Sequence, residues 1–249
     1  MLRGVWKLAL VEGKLYLRDP VGAFFGVPFP VLFFVLMGSV YGNNLAPEYG
    51  GRFGNVDVFV PGFMAMTIAA SGLLALSIGI AIYRERGILR RLQATPVGPL
   101  PLLASQVAVV VVSAALASVL LVVAGRLGFG LRFAGNPLSV AAAFLIGCLS
   151  FCSLGFLLAG LVPTSRSAWV IGSTITFPMI FLSGSLVPTE ILPAGIRSFS
   201  GVLPLTHLVA LLRGTWAGDS WSMHLGDVAV LLGILAVSLV VGARTFRWN

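Results

Sequence analysis

The sequence predicts an all-α membrane protein with six transmembrane helices, and three observations carry that reading. Hydrophobic residues make up 58% of the 249 residues, and the mean hydropathy is +1.02. Charged residues are only 10%, against roughly 25% in soluble domains. A soluble fold of this length has no means of covering so much apolar surface with polar groups. Charge-free runs also recur, each near the length of about 20 residues that a spanning helix needs. They fall at 20–47, 58–83, 92–125, 133–165 and 167–189, and a shorter run at 228–243 reaches spanning length when begun near Leu225. The spans are expected at about 21–41, 58–82, 100–125, 138–161, 168–187 and 225–244, within one transmembrane domain.

Charge placement gives the topology. With six spans, both ends lie on one side. Eleven of the sixteen Lys and Arg residues then share that side: Arg3, Lys7, Lys14, Arg18, Arg84, Arg86, Arg90, Arg91, Arg166, Arg244 and Arg247. Arg52, Arg126, Arg132, Arg197 and Arg213 face the other way. The excess of positive charge marks the cytoplasmic side, so both termini are expected there. The net charge of +8 is confined to short segments between apolar runs. That pattern serves topology and lipid headgroups, and it argues against nucleic acid as a partner. No apolar segment followed by an A-x-A site marks a cleavable signal peptide.

Segment 1–19 is not a span. Val5, Leu8 and Leu15 alternate with Arg3, Lys7, Glu12, Lys14 and Arg18, and Trp6 and Tyr16 suit an interface. This predicts an amphipathic helix on the cytoplasmic surface, or a positively charged leader that sets orientation. In 83–98 charge is dense for this chain, and Ile88, Leu89 and Leu92 stand at helical spacing before Pro96 and Pro99 end the element. A short amphipathic helix follows, serving either as a docking element for a soluble partner or as a basic lipid anchor. At 189–213, prolines and glycines break the chain into short pieces, which predicts an outer re-entrant helical hairpin. The charge-free stretch 198–212, interrupted by Pro204, leaves a seventh span as the alternative. Glu190 and His207 are titratable near this outer interface. Glu190 reads as a gate or proton site, or as an interfacial group that keeps the loop from crossing.

Ionisable groups are nearly absent from the spans, which weakens every proton-coupled mechanism. The neutral polar residues Thr67, Ser71, Gln106, Ser173, Thr174 and Thr176 either line a route or bond to helices. Gly72, Gly79, Gly147, Gly155 and Gly160 suit close helix packing. Cys148 and Cys152 share a helix face as small packing residues, with no metal expected. His207 and His224 lie outside the bundle, so no catalytic constellation forms, and no G-x-x-x-x-G-K-[ST] cradles ATP.

R-E-R-G-I-L-R-R-L-Q-A-T-P-V at 84–97 resembles the E-R-G-x-L-x-x-L-x-x-T-P loop of ABC-2 type ABC transporter permeases, of the bacterial drug and polysaccharide export kind. F-L-S-G-S-L-V-P with the following L-P and L-P-L-T-H at 181–207 is similar to the family's fifth span and outer hairpin. The resemblance covers the whole chain. It implies a non-catalytic subunit with no cofactor of its own, paired as a homodimer in the bacterial cytoplasmic membrane. Two copies of a separate P-loop ATPase would hold the ATP and magnesium. Segment 84–95 would be the coupling helix, with Arg84, Glu85, Arg86, Gly87, Leu89, Arg90, Arg91 and Leu92 toward the ATPase, and 1–19 the connector helix. The cargo would pass between two copies near Thr67, Ser71, Ser173, Thr174, Thr176 and Phe177, with Glu190, Pro204 and His207 at the outer gate. The implied activity is export of an amphipathic or lipid-linked substrate, drug-like ahead of a polysaccharide. A proton-coupled secondary transporter is the competing class, and an intramembrane enzyme or assembly protein a third.

Overall fold

The computed structural model describes residues 2–45, 51–94, 100–186 and 193–245. Among these residues the regular structure is helical, apart from an isolated bridge between Leu45 and Gly54. Helix α1 (Leu2–Arg18) ends because Pro20 drives Asp19 out of the helical region. Pro20 opens α2 (Pro20–Gly26) and Pro28 opens α3 (Pro28–Tyr41), so the first apolar run is a two-piece helix broken at Val27. Any side chain at Gly26 would collide with the Tyr16 hydroxyl, so α1 lies tight against α2.

The second run is longer than its sequence suggests. Helix α4 (Asn55–Ala69) passes through a π-helical turn (Ala70–Ala75) into α5 (Leu76–Glu85). The whole spans Asn55–Glu85, 31 residues. After the short α6 (Ile88–Gln93) come α7 (Leu100–Phe129) and α8 (Pro137–Leu161). Asn136 caps α8 by accepting from the Leu138 amide at 2.8 Å. Helix α9 (Ser165–Leu182) starts in a reciprocal cap between Thr164 and Ser167. Then follow α10 (Ala194–Ser200), α11 (Pro204–Ala217), a single 3-10 turn (Trp221–His224) and α12 (Leu225–Thr245).

Five of these helical runs are long and apolar enough to cross a membrane: Pro20–Tyr41, Asn55–Glu85, Leu100–Phe129, Pro137–Leu161 and Trp221–Gly242. The expected fifth span is the exception. Helix α9 has 18 residues, carries Arg166 and several hydroxyls, and stops at Leu182, not near 187. At about 27 Å it runs alongside the second span, with a contact near each end. Ser165 bonds to Glu85 at one end. At the other, the Ser185 carbonyl occupies the space where a side chain at Gly62 would stand. From residue 62 to residue 85 is roughly 35 Å of helix. Helix α11 is only 14 residues, about 21 Å long, which falls short of a roughly 30 Å hydrocarbon core.

Small residues set the closest helix approaches. A side chain at Gly155 of α8 would run into the carbonyl of Gly72 in the π turn, and one at Gly147 would strike Leu208 of α11. Gly79 makes no comparable approach. One core cluster centres on Phe34, Phe63, Phe151, Leu208 and Leu212. A second, at the end that carries α1 and α6, holds Leu76, Ile80, Leu89, Leu102 and Ala159. Both cysteines are buried free thiols, Cys148 in the first cluster and Cys152 in the second. The outward faces of α7 and α12 expose Val112, Leu116, Val119, Val237 and Leu239, as a helix in lipid does.

Candidate functional site

The charged end of the bundle is built around α6. Gly87 takes a left-handed φ of +67°, which lets the chain turn sharply out of α5 where a residue with a Cβ would be strained. Its amide donates to the Arg84 carbonyl at 2.9 Å, and its carbonyl accepts the first bond of α6 from Arg91. Leu89 is fully buried in the second cluster, with Ile88 and Leu92 half-buried beside it. Arg86, Arg90 and Arg91 are exposed. The helix is therefore pinned by its apolar face, with Leu89 deepest, and its cations face away from the bundle. Lys14 and Arg18 of α1 and Arg166 of α9 are exposed at the same end.

Three consecutive residues before that turn point inward or sideways. The Tyr83 hydroxyl donates to Glu12 Oε2 at 2.6 Å, and Gln106 Nε2 of α7 donates to the same oxygen at 2.6 Å. Glu12 is 7% exposed, so the one acid of α1 is sealed between α5 and α7. Arg84 Nη1 donates to the Ala159 carbonyl at 2.8 Å, and Nη2 donates to the Val162 carbonyl. A cation there completes the carbonyl-rich end of α8. Glu85 accepts from the Ser165 amide and hydroxyl, both at 2.8 Å. It caps the start of α9, where negative charge is favoured. Of the eight residues assigned to coupling by resemblance, Arg86, Arg90 and Arg91 face outward as cations. Leu89 is the anchor with Leu92 half-buried beside it, Gly87 the turn, and Arg84 and Glu85 bond within the chain.

The polar residues assigned to a route divide by exposure. Thr67 bonds to the Phe63 carbonyl at 2.8 Å, Ser71 to Thr67 at 2.6 Å and Ser173 to Val170 at 3.1 Å, all buried and spent on their own helices. Thr176 is buried and its hydroxyl has no hydrogen-bond partner. Thr174 and Phe177 are exposed. Thr174 lies on an otherwise apolar cavity of about 470 Å³, lined by residues such as Leu154, Leu158, Pro178, Phe199 and Pro204.

At the opposite end, His207 is a tie. Its Nδ1 lies 2.7 Å from Asp227 Oδ1 and its Nε2 lies 3.1 Å from the Gly201 carbonyl. His224 Nδ1 lies 3.1 Å from Asp227 Oδ2. One carboxylate thus joins α11, the 3-10 turn and α12. Pro204 opens α11, and Glu190 lies outside the described residues. Sequence reasoning missed the knot at Asp57, which is 1% exposed. It accepts from the Gly54 amide at 2.8 Å, the Arg132 amide at 2.8 Å and Asn43 Nδ2 at 3.0 Å. An acid three residues after Gly54, at the head of an apolar run, was the available signal. Glu12 had one as well, since it sits on the helical stripe of Leu8 and Leu15.

These features define a multi-pass, all-α membrane protein whose charged end is assembled around a short, anchored, cationic helix. The model of the ABC-2 type transporter family matches residues 4–216, and the chain belongs to that family. The chain is 31% identical over 93 residues to Nodulation protein J of Rhizobium leguminosarum bv. viciae, covering 37% of this chain and 34% of that protein. It is 22% identical over 161 residues to a probable multidrug ABC transporter permease, YbhR of Escherichia coli (strain K12), covering 65% of this chain and 44% of that one. It is 26% identical over 219 residues to a protein of Cyanophora paradoxa designated transport permease ycf38, covering 82% and 71%. The chain thus spans less than half the length of the first two.

Proposed function

We propose that this chain is the permease subunit of an ATP-driven exporter, energised by a separate P-loop ATPase. Its observation is α6: a helix held to the bundle by Leu89 with Arg86, Arg90 and Arg91 turned outward, a shape suited to seating in an acidic cleft. Two permease copies pair, and two ATPase copies hold the ATP and magnesium. Six spans place both termini in the cytoplasm of a bacterial cell. The length of bundle traversed by α9, and the side on which the basic residues gather, support that topology. Helices α10 and α11 form the outer re-entrant hairpin, since α11 is too short to span. The cargo is amphipathic or lipid-linked, drug-like ahead of a glycan. The apolar cavity beside Thr174 and the multidrug name of the YbhR relative support that order. Of the route residues, Thr174 and Phe177 are the exposed ones able to meet it.

Copurification tests the reading. The wild-type chain, solubilised from its own host, is expected to bring down a P-loop ATPase, and an R90E/R91E variant is expected to lose it. Retention by that variant at wild-type yield would remove α6 from the interface. The competing proton-coupled mechanism needs an acid at mid-span. Among the described residues, the acids of the long helices lie in end turns, at Asp57, Glu85 and Asp227. Export that continues at constant ATP after the proton gradient is collapsed excludes it, and export that stops would establish it.

A further inference from the structure

Tyr83, Arg84 and Glu85 occupy the last turn of α5, directly before the Gly87 turn and α6. Successive helical residues are about 100° apart, so three in a row sweep about 200° of the circumference. Each therefore reaches a different neighbour. Tyr83 meets Glu12 of α1, which Gln106 of α7 also holds. Arg84 takes the last carbonyls of α8. Glu85 takes the first amide and hydroxyl of α9. The charges match the helix ends they meet, a cation at a C-terminus and an anion at an N-terminus. The Glu12 carboxylate is buried with two donors on one oxygen, so lifting α1 from α5 breaks both bonds and leaves Tyr83 and Gln106 without that acceptor.

Resting on the permease reading above, we propose that Tyr83–Arg84–Glu85 is a transmission hub. Its side chains make no contact with the ATPase. They bind the docking helix to α1, α7, α8 and α9, so that a displacement of α6 moves those helix ends together. The ATPase contact belongs to Arg86, Arg90 and Arg91. The hub residues are positioning residues, and each spoke serves one neighbour.

Spin labels test the spokes one at a time. In a background with both cysteines replaced by alanine, labels at Arg90 and Arg166 report α6 against α9, and labels at Arg90 and Lys14 report α6 against α1. Distances are measured by electron double resonance on the permease alone in lipid nanodiscs. Glu85→Ala is expected to at least double the width of the 90–166 distribution and leave 90–14 unchanged. Tyr83→Phe is expected to do the reverse. Ser165→Ala, which keeps the backbone donor, gives a smaller broadening of 90–166 and serves if E85A folds poorly. Unchanged widths, or equal broadening of both pairs in every variant, would overturn the hub. In the assembled complex, E85A and Y83F should copurify with the ATPase at wild-type yield. Trapping with ADP and vanadate should shift the 14–166 distance in wild type and not in E85A. Loss of the ATPase from E85A would make Glu85 a docking contact and overturn the proposal. Absence of an ATPase from wild type would overturn the permease reading instead, while the nanodisc widths still decide the hub.

Discussion

Asp57→Ala is the perturbation whose cost the structure fixes best. The carboxylate holds three donors: the Gly54 amide, the Arg132 amide and the Asn43 side chain. Gly54 is buried, and orphaning its N–H costs about 2 kcal/mol. The other two donors lie nearer solvent, and each lost bond is worth about 1 kcal/mol. The loss in D57A is therefore about 4 kcal/mol. The guanidinium of Arg132 adds little. It stands 3.5 Å from Oδ2 with its side chain 45% exposed, and such pairs contribute about 0–1 kcal/mol. Arg132→Ala keeps the backbone donor and should cost under about 1 kcal/mol. At about 2–4 °C per kcal/mol for a chain of this size, thermal unfolding in detergent should fall by about 8–16 °C in D57A and by under about 4 °C in R132A. Equal shifts in the two variants would refute the reasoning, because they would place the strength in the ion pair and not in the amides.

Leu89→Ala should cost about 2–5 kcal/mol locally, as deletions of buried leucine do. ATPase copurification should fall with it, although the cations of α6 are intact. Gly155→Ala forces a methyl onto the Gly72 carbonyl, a backbone atom that cannot swing aside. The yield of monodisperse protein should collapse, whereas Gly79→Ala, which meets only Gln106 Oε1 at 3.8 Å, should be tolerated. Asp227→Asn disturbs the contacts to His207 and His224 together. A cysteine placed at the exposed Val202 should then label faster with a water-soluble maleimide, and Asp219→Asn, which touches His224 alone at 3.4 Å, should produce a smaller change.

Much of the fold was legible in the sequence because its signals are local. Apolar length marked five long helices to within a few residues at most ends. The spacing of Ile88, Leu89 and Leu92 found α6, whereas the break at Val27 between the helices opened by Pro20 and Pro28 went unread. Helix α9 was harder, because Arg166, Ser173 and Thr176 dilute its apolar run. The charged residues of the 84–92 loop were found as a group but not sorted. Which cation faces outward depends on partners distant in the chain: Val162 lies 78 residues from Arg84, and Ser165 lies 80 residues from Glu85. Glu12 and Gln106 are 94 residues apart, and no periodicity connects them.

The wide turn at Ala70–Ala75 has a consequence for chain length. A π turn holds one residue more than an α turn of the same course, so the helices on either side keep their facing although the count between them is off by one. Deleting the exposed Ala75 would close the loop of backbone to ordinary α-helix, with Phe63 and Glu85 still turned toward their partners. The same deletion at Ile80 has no slack to absorb it. It would swing everything after it by about 100° and aim Glu85 away from Ser165. Within this span, tolerance to losing a residue is concentrated in a single turn.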